Sequence, residues 1–280
     1  MNGVLHVRKL RMDDLKVLKQ METNIDDDYV IRIFPELISR ENNTVFGLFN
    51  GDQMLAIAGY TTFHHRYAML GRLRSDVRYR GNGHATYLLN EIIRYIQHNT
   101  KLEWVGAYTQ RTNSAARQVI QKLDLKHMTT IQHVKLPLHH LQKDGEVWEK
   151  ITNTDKIREY LLSTQNTIFS YEAYYPLPKD RLYLTDAYLS TGSFYIHSKG
   201  KRFMFIQEDI KDYVYAHVKY FWDDLHLQAG FWSTVAAHIQ SQSNVENIWL
   251  NLSPTAASSL SSRFVMNSND EWHLYEKWLT

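Results

Sequence analysis

The sequence predicts an α/β protein of two halves, each a mixed, mostly antiparallel sheet flanked by helices. Three observations carry this expectation. Stretches rich in β-branched and aromatic residues, bounded by Asn, Gly and Asp, alternate with segments whose apolar residues recur at helical spacing. The order strand–turn–strand–strand–helix–strand–helix occurs twice within 280 residues. A polar stretch at 137–146, with Pro, Lys, Asp and Gly, separates the two occurrences. The expected domains are therefore 1–138 and 147–280.

The elements follow in order. Residues 5–8 read as a short strand. Asp13 is placed to cap a helix over 14–21, because a carboxylate there accepts from free first-turn amides. A second helical stretch covers 29–39; Asp26, Asp27 and Asp28 suit its positive end, and Pro35 should bend or split it. Strand character begins at 44–49, and Asn50-Gly51-Asp52 is a tight-turn signal, since Asn and Gly tolerate positive φ. Residues 54–63 continue as the partner strand, His64-His65-Arg66 as a second turn, and 67–75 as a third antiparallel strand. A helix opens at Gly81-Asn82-Gly83, with Ala85, Leu88, Leu89, Ile92, Ile93 and Ile96 on one face. Residues 102–108 read as strand, 113–123 as helix and 127–136 as a closing strand.

In the second half, Thr154-Asp155 begins a helix that runs to 163. Three antiparallel strands follow at 193–197, 202–206 and 213–219, with a turn at 198–200. A helix at 230–240, a strand at 246–250 and a helix at 253–262 complete it, Pro254 standing at a permitted first-turn position. The repeated order reads as a decayed internal duplication.

Composition narrows the function classes. Apolar residues make up 44 % and charged residues 22 %, as in a packed protein. Cysteine is absent, which removes disulfides, zinc–thiolate sites and a cysteine nucleophile together. A formal charge of +2 without a run of like charges gives no nucleic-acid footprint. Neither a leader-like apolar run nor a stretch of roughly 18–20 apolar residues is present, so no membrane span is expected and the expected location is the cytoplasm. The fourteen histidines are scattered; His64-His65 and His139-His140 lack a third ligand at metal-binding spacing, so no metal is expected.

The run that carries chemistry spans 73–89. A strand ends, a glycine-rich loop follows, and a long amphipathic helix begins. The first amides of a helix have no intrahelical partners, and the helix dipole adds positive potential there. Glycine removes the Cβ that would keep a pyrophosphate from the backbone. Arg80 adds a cation. A dinucleotide fingerprint would need a third glycine where Thr86 stands, together with a parallel sheet unit; a Walker loop would need Gly-Lys-Ser/Thr. Neither is present.

The run instead resembles the acetyl-CoA loop of the GNAT superfamily of N-acetyltransferases, Arg/Gln-x-x-Gly-x-Gly/Ala, with Arg80, Gly83 and Ala85 at the defined positions. Asn113-Ser114-Ala115-Ala116 is similar to that family's second element, an Asn-x-x-Ala helix start near the pantetheine arm. The resemblance covers roughly residues 1–136. It implies that the backbone of Arg80, Gly81, Asn82, Gly83, His84 and Ala85 holds the pyrophosphate of acetyl-CoA. It implies that Leu73, Arg74 and Ser75 bond the pantetheine, that Asn113 and Ala116 lie near it, and that the strand at 104–108 splays away to leave a cleft. Acetyl-CoA would be the co-substrate, without a metal. The acceptor would be an amine-bearing small molecule or protein, attacking the thioester directly.

The sequence also departs from that family. The tyrosine that commonly protonates the departing thiolate is replaced by Ile120, and the usual Gly-Phe after the helix by Asp124-Leu125. Tyr108 is the candidate substitute, with packing at the sheet as its plainer reading. Glu22, Asp26, His64 and His65 are candidate bases by location. In the second half, residues 224–230 replace the loop without its motif, while 251–256 reads as a worn second element. That half is expected to be a degenerate domain without CoA, serving as a lid, an acceptor-site wall or an interface. Its aromatics Tyr171, Tyr174, Tyr175, Trp222, Phe231 and Trp232 either line a pocket or form a core. A CoA-binding sensor or scaffold without chemistry is the alternative function.

Overall fold

Tight turns decide how this chain pairs its strands. A computed structural model describes residues 4–141, 144–164, 182, 184–210, 213–242, 244–260 and 271–279, without the side chain of His140. In chain order the first elements are β1 (Leu5–Lys9), α1 (Leu15–Leu18), α2 (Tyr29–Arg32), α3 (Phe34–Ser39), β2 (Asn43–Asn50) and β3 (Gln53–Phe63). Then come β4 (Tyr67–Ser75), α4 (His84–Asn99), β5 (Trp104–Gln110), α5 (Ser114–Lys122) and β6 (Lys126–Pro137). The later elements are β7 (Glu149–Ile151), α6 (Thr154–Ser163), α7 (Asp186–Leu189), β8 (Gly192–Ile196), β9 (Phe203–Ile210) and β10 (Val214–Tyr220). The last are α8 (Phe231–Gln240), β11 (Asn247–Leu252), α9 (Pro254–Leu260) and β12 (Glu271–Trp278). The chain divides into two compact units, Met1–Met128 with Leu274–Thr280, and Thr129–His273.

In the first unit the strand order is β1-β2-β3-β4-β5-β12. The steps from β1 to β4 are antiparallel, and β4 pairs with β5 in parallel. Gly51, at φ +59°, closes the β2–β3 turn so that Asn50 faces Gln53. His64 and His65, both at positive φ, close the next turn and set Phe63 opposite Tyr67. The apolar face of α4 then buries Leu88, Ile92 and Ile96 against Phe46, Leu48, Ala58, Leu70 and Val105. On the other sheet face, Leu18, Val30, Phe34 and Leu37 of α1–α3 pack on Val45, Met54 and Ile57.

The second unit has the order β6-β11-β10-β9-β8-β7. Its pairing repeats the first unit's: β7 to β10 antiparallel, β10 to β11 parallel. Here α8 packs on Met204, Ile206, Val218 and Leu250, while Ile157 and Leu161 of α6 and Leu189 of α7 pack on Phe194, Phe203 and Phe205. The sixth position is exchanged between the halves. β6 ends the first sequence repeat yet pairs with β11, antiparallel, and β12 ends the second repeat yet lies beside β5. The Trp104 indole donates to Glu276 at 2.8 Å, the Leu279 amide to the Glu103 carbonyl at 2.8 Å, and Tyr275 is buried in the α4 core. Sequence reading set the boundary at 138–147; the compact units divide inside β6 and inside β12.

Two other expectations, the Asp13 cap and the helix to 21, are corrected. Asp13 caps nothing; Arg8 on β1 grips the carboxylate of Asp14 at 2.6 and 2.8 Å, and Asp14 accepts the Arg11 amide at 2.7 Å. The chain therefore turns through a short 3₁₀ segment, Met12–Asp14, into a single helical turn rather than a helix to 21. As Pro35 led one to expect, the stretch 29–39 splits, and the break falls at Ile33, because proline fits only the first turn of a new helix. Strands β7 and β12 and helix α7 were not read from the sequence. The end of the helix expected to reach 262 lies outside the described residues. Among the described residues, no helix is long and apolar enough to cross a membrane, and no group of three His, Asp or Glu side chains is arranged to hold a metal ion.

Candidate functional site

Two neighbouring strands begin the site by parting. β4 and β5 are paired from Tyr67 opposite Trp104 to Leu70 opposite Ala107. Beyond that point β4 continues to Ser75 and β5 to Gln110, outside this register. The cause is a bulge. From Gly71 to Arg74 β4 takes three steps while β3 takes two, from Gly59 to Ile57, and Arg72 adopts φ +60°. Arg72 is held there by donating to Asn43 at 3.0 Å and Thr61 at 2.8 Å. Arg74 and Ser75 stay paired to β3 on one edge and leave the other towards the gap. Half-buried Tyr108 directly follows the last paired residue of β5.

The loop after β4 is fastened at its base. Buried Asp76 binds the Leu55 carbonyl through its amide at 3.0 Å, and its carboxylate accepts from the Arg78 amide, Nε and Nη2 at 2.5–3.0 Å. The Arg78 guanidinium holds the Asp76 carboxyl below the usual carboxylate range against the opposing effect of burial. The Val77 amide donates to the Glu22 carbonyl at 2.7 Å, and the Arg80 guanidinium to the Thr23 carbonyl at 3.0 Å. Segment 20–23 thus staples the loop.

Gly81 and Gly83, at φ +84° and +77°, then turn the chain into α4. A Cβ built on either would meet no atom within 4 Å. Gly83 is the N-cap residue and offers no side chain to the free amides of the first turn. The Nδ1 atom of His84 is buried without a partner among the described residues. A sixteen-residue helix thus presents an uncapped positive end across an open glycine cradle, beside an orphaned polar atom. A pyrophosphate fits such a place.

Other expected residues take different roles. The Arg74 side chain forms a bidentate pair with buried Asp28, at 2.6 and 2.8 Å, so only its backbone is left for the gap. Burial opposes the Asp28 charge, yet Arg74 and the Val30 amide together hold its carboxyl below the usual range. Asn113 accepts the Ala116 amide at 3.1 Å and caps α5, so these two residues satisfy one another. Ile120 is buried with Leu123 and Leu125 in the α4 core. Glu22 and Asp26 are exposed on the segment that staples the loop or just beyond it, Glu22 lying 3.4 Å from Arg78. His64 and His65 sit at the opposite end of β4 from Ser75, because the β3–β4 turn starts the strand that the loop ends. Sequence reading missed Asp76 and Thr23; the Asp76-x-Arg78 spacing was the available signal.

The second unit has an equivalent place, and it is filled. α8 also starts from a left-handed glycine, Gly230 at φ +79°, after a short 3₁₀ turn, Leu225–Leu227. The Ser253 hydroxyl accepts the Ala256 amide at 3.0 Å, as Asn113 does for Ala116. Here, however, a Cβ on Gly230 would lie 1.9 Å from the Glu146 carbonyl oxygen. The Asp144 carboxylate accepts the amides of Trp232 at 3.2 Å and Ser233 at 2.9 Å, and the Trp148 indole donates to the Ala229 carbonyl at 2.9 Å. An internal anion occupies the helix end. Phe231 and Trp232 belong to the core, with Trp222 packed against it; Tyr171, Tyr174 and Tyr175 lie outside the described residues.

Residues 7–124 match the model of the acetyltransferase (GNAT) family, and this stretch is a GNAT domain. Among solved structures, a candidate acetyltransferase of Thermoplasma acidophilum is similar at a TM-score of 0.52 and 14 % identity, over 96 % of this chain and 91 % of its own. A conserved Enterococcus faecalis protein of unknown function, described as a candidate N-acyltransferase, is similar at 0.51 and 13 % identity, over 99 % and 73 %. At such identities the likeness is one of fold. Curated proteins gave no match.

Proposed function

We propose that the first unit binds an acyl-CoA, acetyl-CoA foremost, and transfers its acyl group to a primary amine by direct attack. The observation that carries this reading is the uncapped start of α4, behind two left-handed glycines, at the place where β4 and β5 part. The backbone of Arg80 to Ala85 would receive the pyrophosphate, with the Arg80 guanidinium beside it. The pantetheine amides would take the vacant edge of Leu73, Arg74 and Ser75, as an added strand would. Asn113 and Ala116 keep the start of α5 in shape beside it. The GNAT match over 7–124 supports this reading.

The thioester would then lie in the gap near Tyr108. The amine nitrogen bonds to the acyl carbon, the C–S bond breaks, and its electron pair leaves on sulfur. Tyr108 would donate the proton to that thiolate, and the nitrogen's proton would pass to water or to Glu22 or Asp26. No enzyme nucleophile is needed. The acceptor is an amine-bearing small molecule or protein.

One observation favours a second reading. Ile120 is buried in the core, so α5 brings no hydroxyl there, and a CoA-binding sensor needs none. Release of thiol from acetyl-CoA across a panel of primary amines separates the two. Release that Arg80→Glu abolishes supports catalysis. Tight binding without release by any amine supports the sensor.

A further inference from the structure

The second unit contains a polar cavity that acyl transfer leaves unused. It measures 190 Å³ and is lined by Ser193 at the start of β8, Glu208 late in β9, His238 in the last turn of α8 and Gln242 just after it. At roughly 30 Å³ per water, it has room for about six waters or one molecule of amino-acid size.

Its deepest polar group is unfinished. His238 is 8 % exposed, and the partner of its Nδ1 is the Tyr195 hydroxyl at 3.0 Å. Its Nε2 has no partner among the described residues. Burial, with Lys150 nearby, pushes the imidazole pKa down and keeps the ring neutral. With Tyr195 donating to Nδ1, the single ring proton is assigned to Nε2, a donor for whatever the cavity holds. Nε2 is not sealed from the cavity, so it can donate to an acceptor group that enters it. The rim has the opposite character. Glu208 uses Oε2 to accept from Asn244 at 3.1 Å and leaves Oε1 without a partner among the described residues, and the carbonyl end of α8 adds negative potential.

The geometry points to a second ligand site in this cavity, for a free amino acid whose carboxylate accepts from His238 and whose ammonium meets Glu208. The site is independent of the acyl-CoA reading and stands or falls without it. Saturation-transfer NMR on the full chain with the common L-amino acids, each at millimolar concentration, tests it. At least one amino acid should bind, and Glu208→Gln and His238→Gln should each weaken it by about tenfold, the loss of one charge-assisted or buried hydrogen bond. Gly83→Asp should leave that binding unchanged. Glu208 is exposed, so its variant keeps the test open should His238→Gln fail to fold. No binding by any amino acid overturns the proposal, as does binding unaffected by Glu208→Gln or lost in Gly83→Asp.

Discussion

The Asp144 carboxylate accepts the Ser233 amide at 2.9 Å, and the Ser233 hydroxyl accepts the Asp144 amide at 2.9 Å. This reciprocal pair closes the start of α8, whose counterpart at α4 is open. The two repeats keep one local design, a left-handed glycine at a helix start, and spend it differently. One leaves the positive end to a ligand, and the other supplies its own anion.

Replacing Asp144 by alanine should therefore act as the loss of a helix cap. The expected destabilisation is about 1 kcal/mol. Urea denaturation of wild type and variant measures it, and acetyl-CoA affinity should be unchanged.

The Asp28–Arg74 pair fastens α2 to the bulged end of β4. Arg74→Ala strands a buried carboxylate and should cost about 3 kcal/mol at neutral pH. The Asp28 carboxyl titrates below its ordinary value, so its contribution is full above about pH 4 and fades as pH falls through the lowered value. The penalty of Arg74→Ala should shrink in the same acid range, as seen in denaturation curves at stepped pH.

His238 should act on the same acid side of the stability profile, but from a higher pH. Its folded pKa is lowered, so the unfolded chain takes up more protons as pH falls through about 6.5. Stability should decline from there towards the lowered value, and His238→Gln should flatten that decline. Thermal unfolding across this range shows whether it does.

Tyr108→Phe should lower acyl transfer by about a hundredfold, the usual worth of a positioned proton donor, with acetyl-CoA affinity preserved. Steady-state rates and direct binding together decide it; an unchanged rate removes Tyr108 from the chemistry.

A chain ended before β12 should lose the first unit. Tyr275 leaves the α4 core and Trp104 loses its partner Glu276. Circular dichroism and acetyl-CoA binding of the truncated chain report the outcome.

Much of the first unit was legible in sequence because its signals are local. The six apolar positions of α4, the Asn50-Gly51 turn and the proline after Ile33 each act within a few residues. The glycine loop was legible for the same reason. What escaped depends on distant partners. Asp14 takes the place expected of Asp13 because Arg8 on the preceding strand grips it, a choice between adjacent carboxylates that spacing does not show. β12 lacks clean alternation, with Leu274 and Tyr275 adjacent and both buried, and no local feature says that its place is beside β5. The stretch 137–146 reads as a plain linker, and only the folded chain reveals Asp144 as the cap of a helix some ninety residues later. The gap beside Tyr108 arises from a bulge that Arg72 holds through Asn43 and Thr61 on two other strands.

The central claim is an acyl-CoA site at the start of α4, and calorimetric titration with acetyl-CoA tests it most directly. Gly83→Asp is the control, because the Cβ it adds meets no atom within 4 Å and its left-handed backbone costs about 1–2 kcal/mol. It places a negative charge where the pyrophosphate would sit. Micromolar binding by wild type, lost in the folded variant and not reproduced by ATP, is the predicted result. Equal affinity in both proteins, or no binding by wild type, contradicts it.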